Sequence, residues 1–469
     1  MNKLSTPTRL SNQALVNKYA GSGPRYTSYP TAPQFRDDFP LQDYLAEQAR
    51  QRVSNHSDLS LYVHIPFCAD ICYYCACNKI VTREGGASRR YLDKLHREIV
   101  LQSELHGSSR PIRQLHWGGG TPTYLDHAEL TELMHDLASH FQLLDQGHRE
   151  YSIEIDPRTT DGNGIALLKG LGFNRISLGI QDFDPLVQKS VNRVQPFAMV
   201  KKLVEQIRQH DFRSLSFDLI YGLPNQDRYT MDATLDKVMQ LQPERIACYN
   251  YAHLPDRFSS QRAIDRLSLP SAATKLAIQE HIAEKLQAGG YVHIGLDHYV
   301  LPSDDLAIAQ QQGRLQRNFQ GYSVQLADDL LGLGVSAISQ MGDYYVQNEH
   351  KLDDYYSALG ENRLPLRRGY LMNDEDKLRR HVIMELICNL YLDTADCNLL
   401  YEIDFTSHFA DELTSLKAMA NDGLLELDSD SVRITERGRP FLRNICMVFD
   451  QYLAPQSAAA NAPRYSATI

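Results

Sequence analysis

Cys68, Cys72, Cys75 and Cys77 fall within ten residues, in the stretch LYVHIPFCADICYYCACNKI (61–80). Thiols so crowded have few uses: packed free cysteines, a small disulfide knot, a zinc site or an iron–sulfur cluster. The chain holds only eight cysteines in 469 residues, so disulfides cannot be its framework. Its start, MNKLSTPTRLSNQ, has no apolar signal core, and nowhere do eighteen apolar residues run together. A soluble, cytoplasmic protein with reduced thiols and no membrane partner is expected. Cys248, Cys388, Cys397 and Cys446 lie scattered in apolar surroundings and read as packing residues. The clustered thiols therefore read as ligands.

Spacing separates the two metal readings. Structural zinc usually takes two separated C-x2–4-C pairs, or one pair with histidines, in a closed tetrahedron. Here C-x3-C-x2-C-x-C sits in a single loop, with no second pair elsewhere. Cys75 and Cys77, two apart, fit awkwardly with Cys68 and Cys72 around one small ion. Thiolates also suit iron–sulfur clusters, and three of them on a cubane would leave one iron open to a substrate or cofactor. The pattern favours iron–sulfur over zinc. A net charge of −10 suits solubility and argues against a general nucleic-acid binder.

The elements that must hold this loop come from β-rich runs at 59–66, 113–120, 151–157, 175–183, 214–224 and 245–255. Amphipathic stretches such as RRYLDKLHREIVLQSEL and DHAELTELMHDLASHF lie between them. Strands alternating with helices predict an α/β fold with a curved parallel sheet, here an incomplete (β/α)6 barrel. Ligands in such folds bind beyond the carboxyl ends of the strands. The unusual residues gather there: the cysteine loop after strand one, a glycine run ending strand two, Glu154 in strand three and Gln181 ending strand four.

Five parts are expected along the chain: an N-terminal arm (1–57), the barrel (58–300), a connecting segment returning to the site (301–368), a C-terminal, mainly helical, winged-helix-like domain (369–454) and a mobile tail (455–469). In the arm, GSGPRYTSYPTAPQF is either a surface connector or a lid over the sheet mouth. The glycine-punctuated 318–339 would suit a loop. In the C-terminal part Leu378, Val382, Leu386 and Leu390 make one helical stripe, and GLLELDSDSVRITERGRPFL reads as two short strands and a helix. That part is not strongly basic, so packing or covering the substrate is expected of it rather than DNA binding.

The cysteine loop, set between a strand and a helix of a βα repeat, resembles the radical S-adenosylmethionine family. Eight segments in order, SGPRYTSYPTA, YVHIPFC…CYYCACNK, LHWGGGTPTYL, SIEIDPR, GFNRISLGIQDF, DLIYGLP, NYAHLP and LLGLGVSAIS, look like its branch that acts on coproporphyrinogen III without oxygen. The resemblance implies a [4Fe–4S] cluster on Cys68, Cys72 and Cys75, and a radical made from S-adenosylmethionine. It implies oxidative decarboxylation of two propionates of coproporphyrinogen III to vinyls, with two S-adenosylmethionine molecules per turnover and an unidentified external electron donor. A monomer is expected, with no side chain as catalytic acid or base. The match places one S-adenosylmethionine against Tyr62, Gly119, Glu154 and Ile338. A second position would be lined by Tyr74, Gly120, Thr121, Gln181, Arg193, Asp218 and Ala252.

Physical reasons stand beside several of these. The glycine run would let backbone approach a ligand without a Cβ, and no GK[ST] follows to make it a phosphate loop. Glu154 is either paired within the sheet or a ligand group pointing from a strand end. Arg193 is a surface helix residue or a ligand. Asp218, a carboxylate inside an apolar strand, needs a polar partner. His64 is a packed strand histidine or a neighbour of the cofactor, and Arg25 with the tyrosines of PRYTSYPT would contact propionates. Cys77 does not hold the cluster by this pattern. The rival reading is a heme-binding chaperone on the same scaffold, but such relatives typically lack the fourth cysteine of CACN and the PRYTSYPT arm. A zinc-bound regulatory winged-helix protein is a further, different class.

Overall fold

Short runs of Leu, Ile, Val and aromatic residues form the sheet. In the computed structural model, residues 12–52, 57–145, 149–324, 327, 329–453, 465 and 468 are described. β1 (Leu59–Ile65), β2 (Pro111–Gly119), β3 (Glu150–Ile155), β4 (Arg175–Gln181), β5 (Ser214–Tyr221) and β6 (Arg245–Asn250) stand at the places expected. Helices run between them. α2 (Ala87–His106) buries Tyr91, Leu92, Leu95 and Ile99, spaced by helical turns, against the sheet. α3 (His127–His140) opens on a reciprocal cap, in which Asp126 accepts from the Glu129 N–H at 2.8 Å and Glu129 accepts from the Asp126 N–H at 3.0 Å. The strands pair in parallel in the order β6-β5-β4-β3-β2-β1.

The segment 318–339 is not the loop its glycines suggest. β9 (Asp329–Leu333) pairs in parallel with the free side of β1, from Leu59 against Asp329 to Val63 against Leu333. β10 (Ile338–Met341), β11 (Tyr344–Asn348) and β12 (Leu366–Leu371) extend the sheet antiparallel. The glycines serve close backbone approach: a Cβ on Gly332 would lie 2.5 Å from the Ile338 carbonyl oxygen. Glu98 of α2, fully buried, ties this hairpin down by accepting from the Gly334 N–H (2.8 Å), Asn348 Nδ2 (2.6 Å) and Tyr355 Oη (2.7 Å). At the other end of the sheet, β8 (His298–Val300) lies antiparallel to β6 and pairs with β7 (Val292–Gly295). The end strands β7 and β12 do not pair, so among the described residues the curved sheet stays open.

A second core forms around α4 (Asp374–Asn389) and a three-stranded sheet of β13 (Tyr391–Asp393), β15 (Ser431–Ile434) and β14 (Leu425–Leu427). Leu378, Val382, Leu386 and Leu390 are buried in it, as are Cys388, Cys397 and Cys446. Leu15 of α1 (Asn12–Tyr19), Tyr26 and Tyr29 belong to the same core. The two tyrosines, 1% and 0% exposed, are therefore not available to contact propionates. Burial of their rings outweighs the exposed position their polar neighbours suggest. The expected mobile tail, 455–469, lies outside the described residues apart from Tyr465 and Thr468, as does the start of the arm, 1–11. Among the described residues no helix is long and apolar enough to cross a membrane.

Candidate active site

The carboxyl ends of the parallel strands open into a cavity of about 550 Å³. Its cysteine loop is pinned at the base, where Phe67 and Cys68 pair with Ile80 and Val81. The Ile80 N–H donates to the Pro66 carbonyl at 2.7 Å and the Thr82 N–H to that of Cys68 at 3.1 Å. Cys68, Cys72 and Cys75 face the cavity, and so does Cys77.

The surroundings suit anionic sulfur. Arg193 Nη1 and Arg158 Nη2 lie 3.6 and 3.8 Å from Cys72 Sγ, and Thr121 Oγ1 lies 3.5 Å from Cys68 Sγ. A hydrogen bond from Cys77, then the charge of Lys79, brings the Cys75 thiol down to about 6 against the cost of burial. Burial pushes Cys68 up to about 11, so metal ligation would have to draw off its proton. Among the described residues no three Cys, His, Asp or Glu side chains converge to hold a single metal ion. Three thiols spread along one loop under two guanidinium groups fit a thiolate-held iron–sulfur cluster.

Two strands, β3 and β5, supply the acidic wall. Burial works against the charge of Glu154, but the hydrogen bond and charge of His116 (Nε2 to Oε1, 3.2 Å) and the Gly119 N–H (3.1 Å to Oε2) hold its carboxyl below the usual value. Asp218 on β5 behaves oppositely: burial, then the Glu154 charge, pushes it up to about 7, and Ser177 Oγ donates to it at 2.8 Å. One carboxyl is thus held charged and its neighbour near neutrality. Arg193 is no surface residue; it is 6% exposed and paired with Asp156. Gln181 ends β4 at φ +64, a left-handed conformation costing about 1–3 kcal/mol for a residue with a Cβ, and its side chain faces the cavity.

Tyr74, Gly119, Gly120, Thr121 and Ala252 line the cavity with these groups. Tyr62 and Ile338 do not. Tyr62 stacks on His116 at 5.8 Å and shares a hydrogen bond with His64 Nδ1 at 3.0 Å. Ile338 starts β10 opposite Gln347. The glycine run answers first to the protein's own atoms. A Cβ would meet the Glu154 carboxyl at Gly118 (2.9 Å), the His64 ring at Gly119 (2.5 Å) and the Pro66 carbonyl at Gly120 (2.6 Å). His64 is buried between Tyr62 and the Asn78 carbonyl, with its basicity lowered by burial.

His116, Asp156 and Arg158 are site residues that the sequence reading passed over. A signal existed: Glu154 and Asp156 are two apart on β3 and its extension, so both face one way. Arg158 grips Asp156 at 2.7 Å and leans over Cys72. From the arm, Arg25 reaches the cavity, paired with Asp297 and set 5.5 Å over the Tyr249 ring.

The open α/β sheet and its three-thiol loop define a radical S-adenosylmethionine enzyme, and residues 62–238 match the Radical SAM superfamily. Residues 372–441 match the HemN C-terminal domain. The chain is 49% identical to the oxygen-independent coproporphyrinogen III oxidase of Pseudomonas aeruginosa, over 97% of this chain and 98% of that one. With the enzyme of that name from Escherichia coli it shares 46% identity over 94% and 95%. The solved structure of coproporphyrinogen III oxidase from Escherichia coli, described as a radical SAM enzyme, superposes with a TM-score of 0.89 at 44% identity, over 95% of this chain and all of that one. The chain belongs to the oxygen-independent coproporphyrinogen III oxidase family. Its cofactors are those of its superfamily, a [4Fe–4S] cluster and S-adenosylmethionine.

Proposed function

We propose that this cavity oxidatively decarboxylates two propionate side chains of coproporphyrinogen III to vinyl groups, giving protoporphyrinogen IX and two CO2 in heme biosynthesis. The observation that carries the reading is the meeting of the cysteine loop with Glu154, Arg193 and Asp218 in one cavity. Relatives of that name over nearly the whole chain support it. Once bound, the cluster and S-adenosylmethionine supply a carbon radical able to take hydrogen from an unactivated propionate, which no side-chain base can do.

The chain's own residues bind and orient. Cys68, Cys72 and Cys75 would hold the cluster, with Arg158 and Arg193 offsetting its negative charge at Cys72. Gly119 and Glu154 would hold one S-adenosylmethionine, Glu154 by accepting from its amino group. Tyr62 and Ile338, which the resemblance assigns to the same position, stand outside the cavity wall. Tyr62 would act from behind, through the stacked His116 that fixes Glu154. Tyr74, Gly120, Thr121, Gln181, Arg193, Asp218 and Ala252 would form the second position, two S-adenosylmethionine molecules being used per substrate. Arg25, which lines the cavity, would meet a substrate carboxylate. The enzyme would act as a cytoplasmic monomer, fed by an external electron donor.

The test is anaerobic turnover of reconstituted protein with coproporphyrinogen III, S-adenosylmethionine and a reductant. Protoporphyrinogen IX should appear with two CO2 per molecule. Consumption of S-adenosylmethionine without any vinyl product would overturn the substrate assignment.

A further inference from the structure

Beneath the cofactor cavity the sheet encloses a second one, of about 140 Å³. Alternation along β3 and β5 turns Glu150, Ser152, Glu154 and Ser214, Ser216, Asp218 into it. Barrels ordinarily fill this space with branched apolar side chains; here it is polar and open. Glu154, Asp218 and Tyr249 face both cavities, so the two meet at the cofactor wall.

Six atoms of residues around this chamber are buried without a hydrogen-bond partner in the protein: Gln114 Oε1, Arg175 Nε, Ser214 Oγ, Arg245 Nη2, His298 Nδ1 and Gln320 Oε1. Buried polar atoms left so are costly, and six together point to a ligand. The set mixes guanidinium donors with amide-oxygen acceptors. An anion would serve the first and repel the second, whereas water serves both. At roughly 30 Å³ per molecule there is room for about four waters. Protic side chains lead from the chamber to the cofactor wall. Ser152 Oγ lies 2.6 Å from His116 Nδ1, whose Nε2 meets Glu154, and Ser177 donates to Asp218.

We propose that the chamber holds a buried water chain that carries a proton away from Asp218 when the cationic cofactor binds, an inference that rests on the S-adenosylmethionine reading of the cavity above. The Asp218 carboxylic acid gives its proton to the chain and becomes the carboxylate facing the cofactor's positive charge; no electron moves. The proton passes along the water to bulk solvent at the amino ends of the strands, past Glu150 and Ser214, which line that end of the chamber. The titratable groups facing Asp218 are Glu154 on β3, His116 on β2, and Cys248 and Tyr249 on β6. Its value of about 7, set by burial and then Glu154, leaves it mostly protonated at about pH 6.5 before the cofactor arrives.

The experiment mixes cluster-loaded protein with S-adenosylmethionine, without reductant, in weak buffer at about pH 6.5 with a pH indicator, in a stopped-flow cell. With Asp218 at about 7, roughly three-quarters of a proton per chain is expected once the second cofactor position fills. Ser216→Val, which fills the chamber with apolar bulk, should slow the release at least tenfold and raise the pH midpoint of cofactor binding, with thermal stability kept. Ser216→Ala should release at the wild-type rate, and Ser214→Val replaces Ser216→Val if that variant misfolds. Cofactor binding with no proton released, or the same rate in the filled variant, sinks the chamber's role and leaves the cofactor reading standing. No cofactor binding at all sinks both.

Discussion

Tyr26 Oη donates to Asp450 Oδ2 at 2.9 Å, and both side chains are buried, so the N-terminal arm is fastened into the C-terminal core. Tyr26→Phe would leave Asp450 short of a donor, at a cost of about 1–3 kcal/mol. A Tm a few degrees lower is expected, with S-adenosylmethionine affinity unchanged. Deleting residues 1–36 removes Leu15, Tyr26 and Tyr29 from that core as well as Arg25 from the cavity. Decarboxylation should vanish while iron still binds the cysteine loop; full activity in the truncated protein would show the arm to be a mere connector.

Iron content tests the cysteines. Reconstituted protein should carry about four irons per chain. Cys68→Ala, Cys72→Ala and Cys75→Ala should each lose them, and Cys77→Ala should keep them. Loss of iron in the Cys77 variant would reassign the ligands, because Cys77 also faces the cavity.

Glu154→Ala should keep the cluster and weaken S-adenosylmethionine binding at least tenfold, the worth of one charge-assisted hydrogen bond of about 1.5–3 kcal/mol. His116→Ala, which removes the group holding Glu154 charged, should weaken binding less and most visibly at low pH. Equal affinity in the Glu154 variant would leave that carboxylate a purely structural role beneath Gly118 and Gly119.

Glu98 gives stability a pH dependence. Burial pushes its carboxyl up to about 7, above the 4.5 of an unfolded chain. Between those values the folded state holds the extra proton, so this group's contribution falls as pH rises from about 4.5 to about 7 and is level above that. The span is on the order of 3 kcal/mol. Urea unfolding of the wild type and Glu98→Gln at several pH values should give curves whose difference carries that slope; a constant difference would remove Glu98 as its source.

The cysteine spacing and the six strands were legible because both are local: thiols ligate by loop geometry, and strands announce themselves by short β-rich runs between amphipathic helices. β9 was not, since Gly332 and Gly334 look the same in a loop as in a hairpin packed too closely for a Cβ. Arg193 and Asp156 depend on each other across distant parts of the chain, so neither looks buried alone. The tyrosines of the arm were misread because nothing near them in sequence tells of the core they enter. Gly119 and Gly120 read from the sequence as room for a ligand, whereas the first atoms they admit are those of His64 and Pro66.

The pairing of β1 with β9 bears on how the protein is made. The strand that launches the cysteine loop receives one of its two neighbours from about 270 residues further along the chain. At about 5–20 residues per second, the ribosome takes roughly 15–50 s to cover that distance. Throughout that interval β1 has an open edge, the state in which strands recruit wrong partners, and the wall beside the thiols is unfinished. Nascent chains stalled before Asp329 should therefore aggregate more readily than complete ones. Iron delivery to a finished site can only follow release of nearly the whole polypeptide.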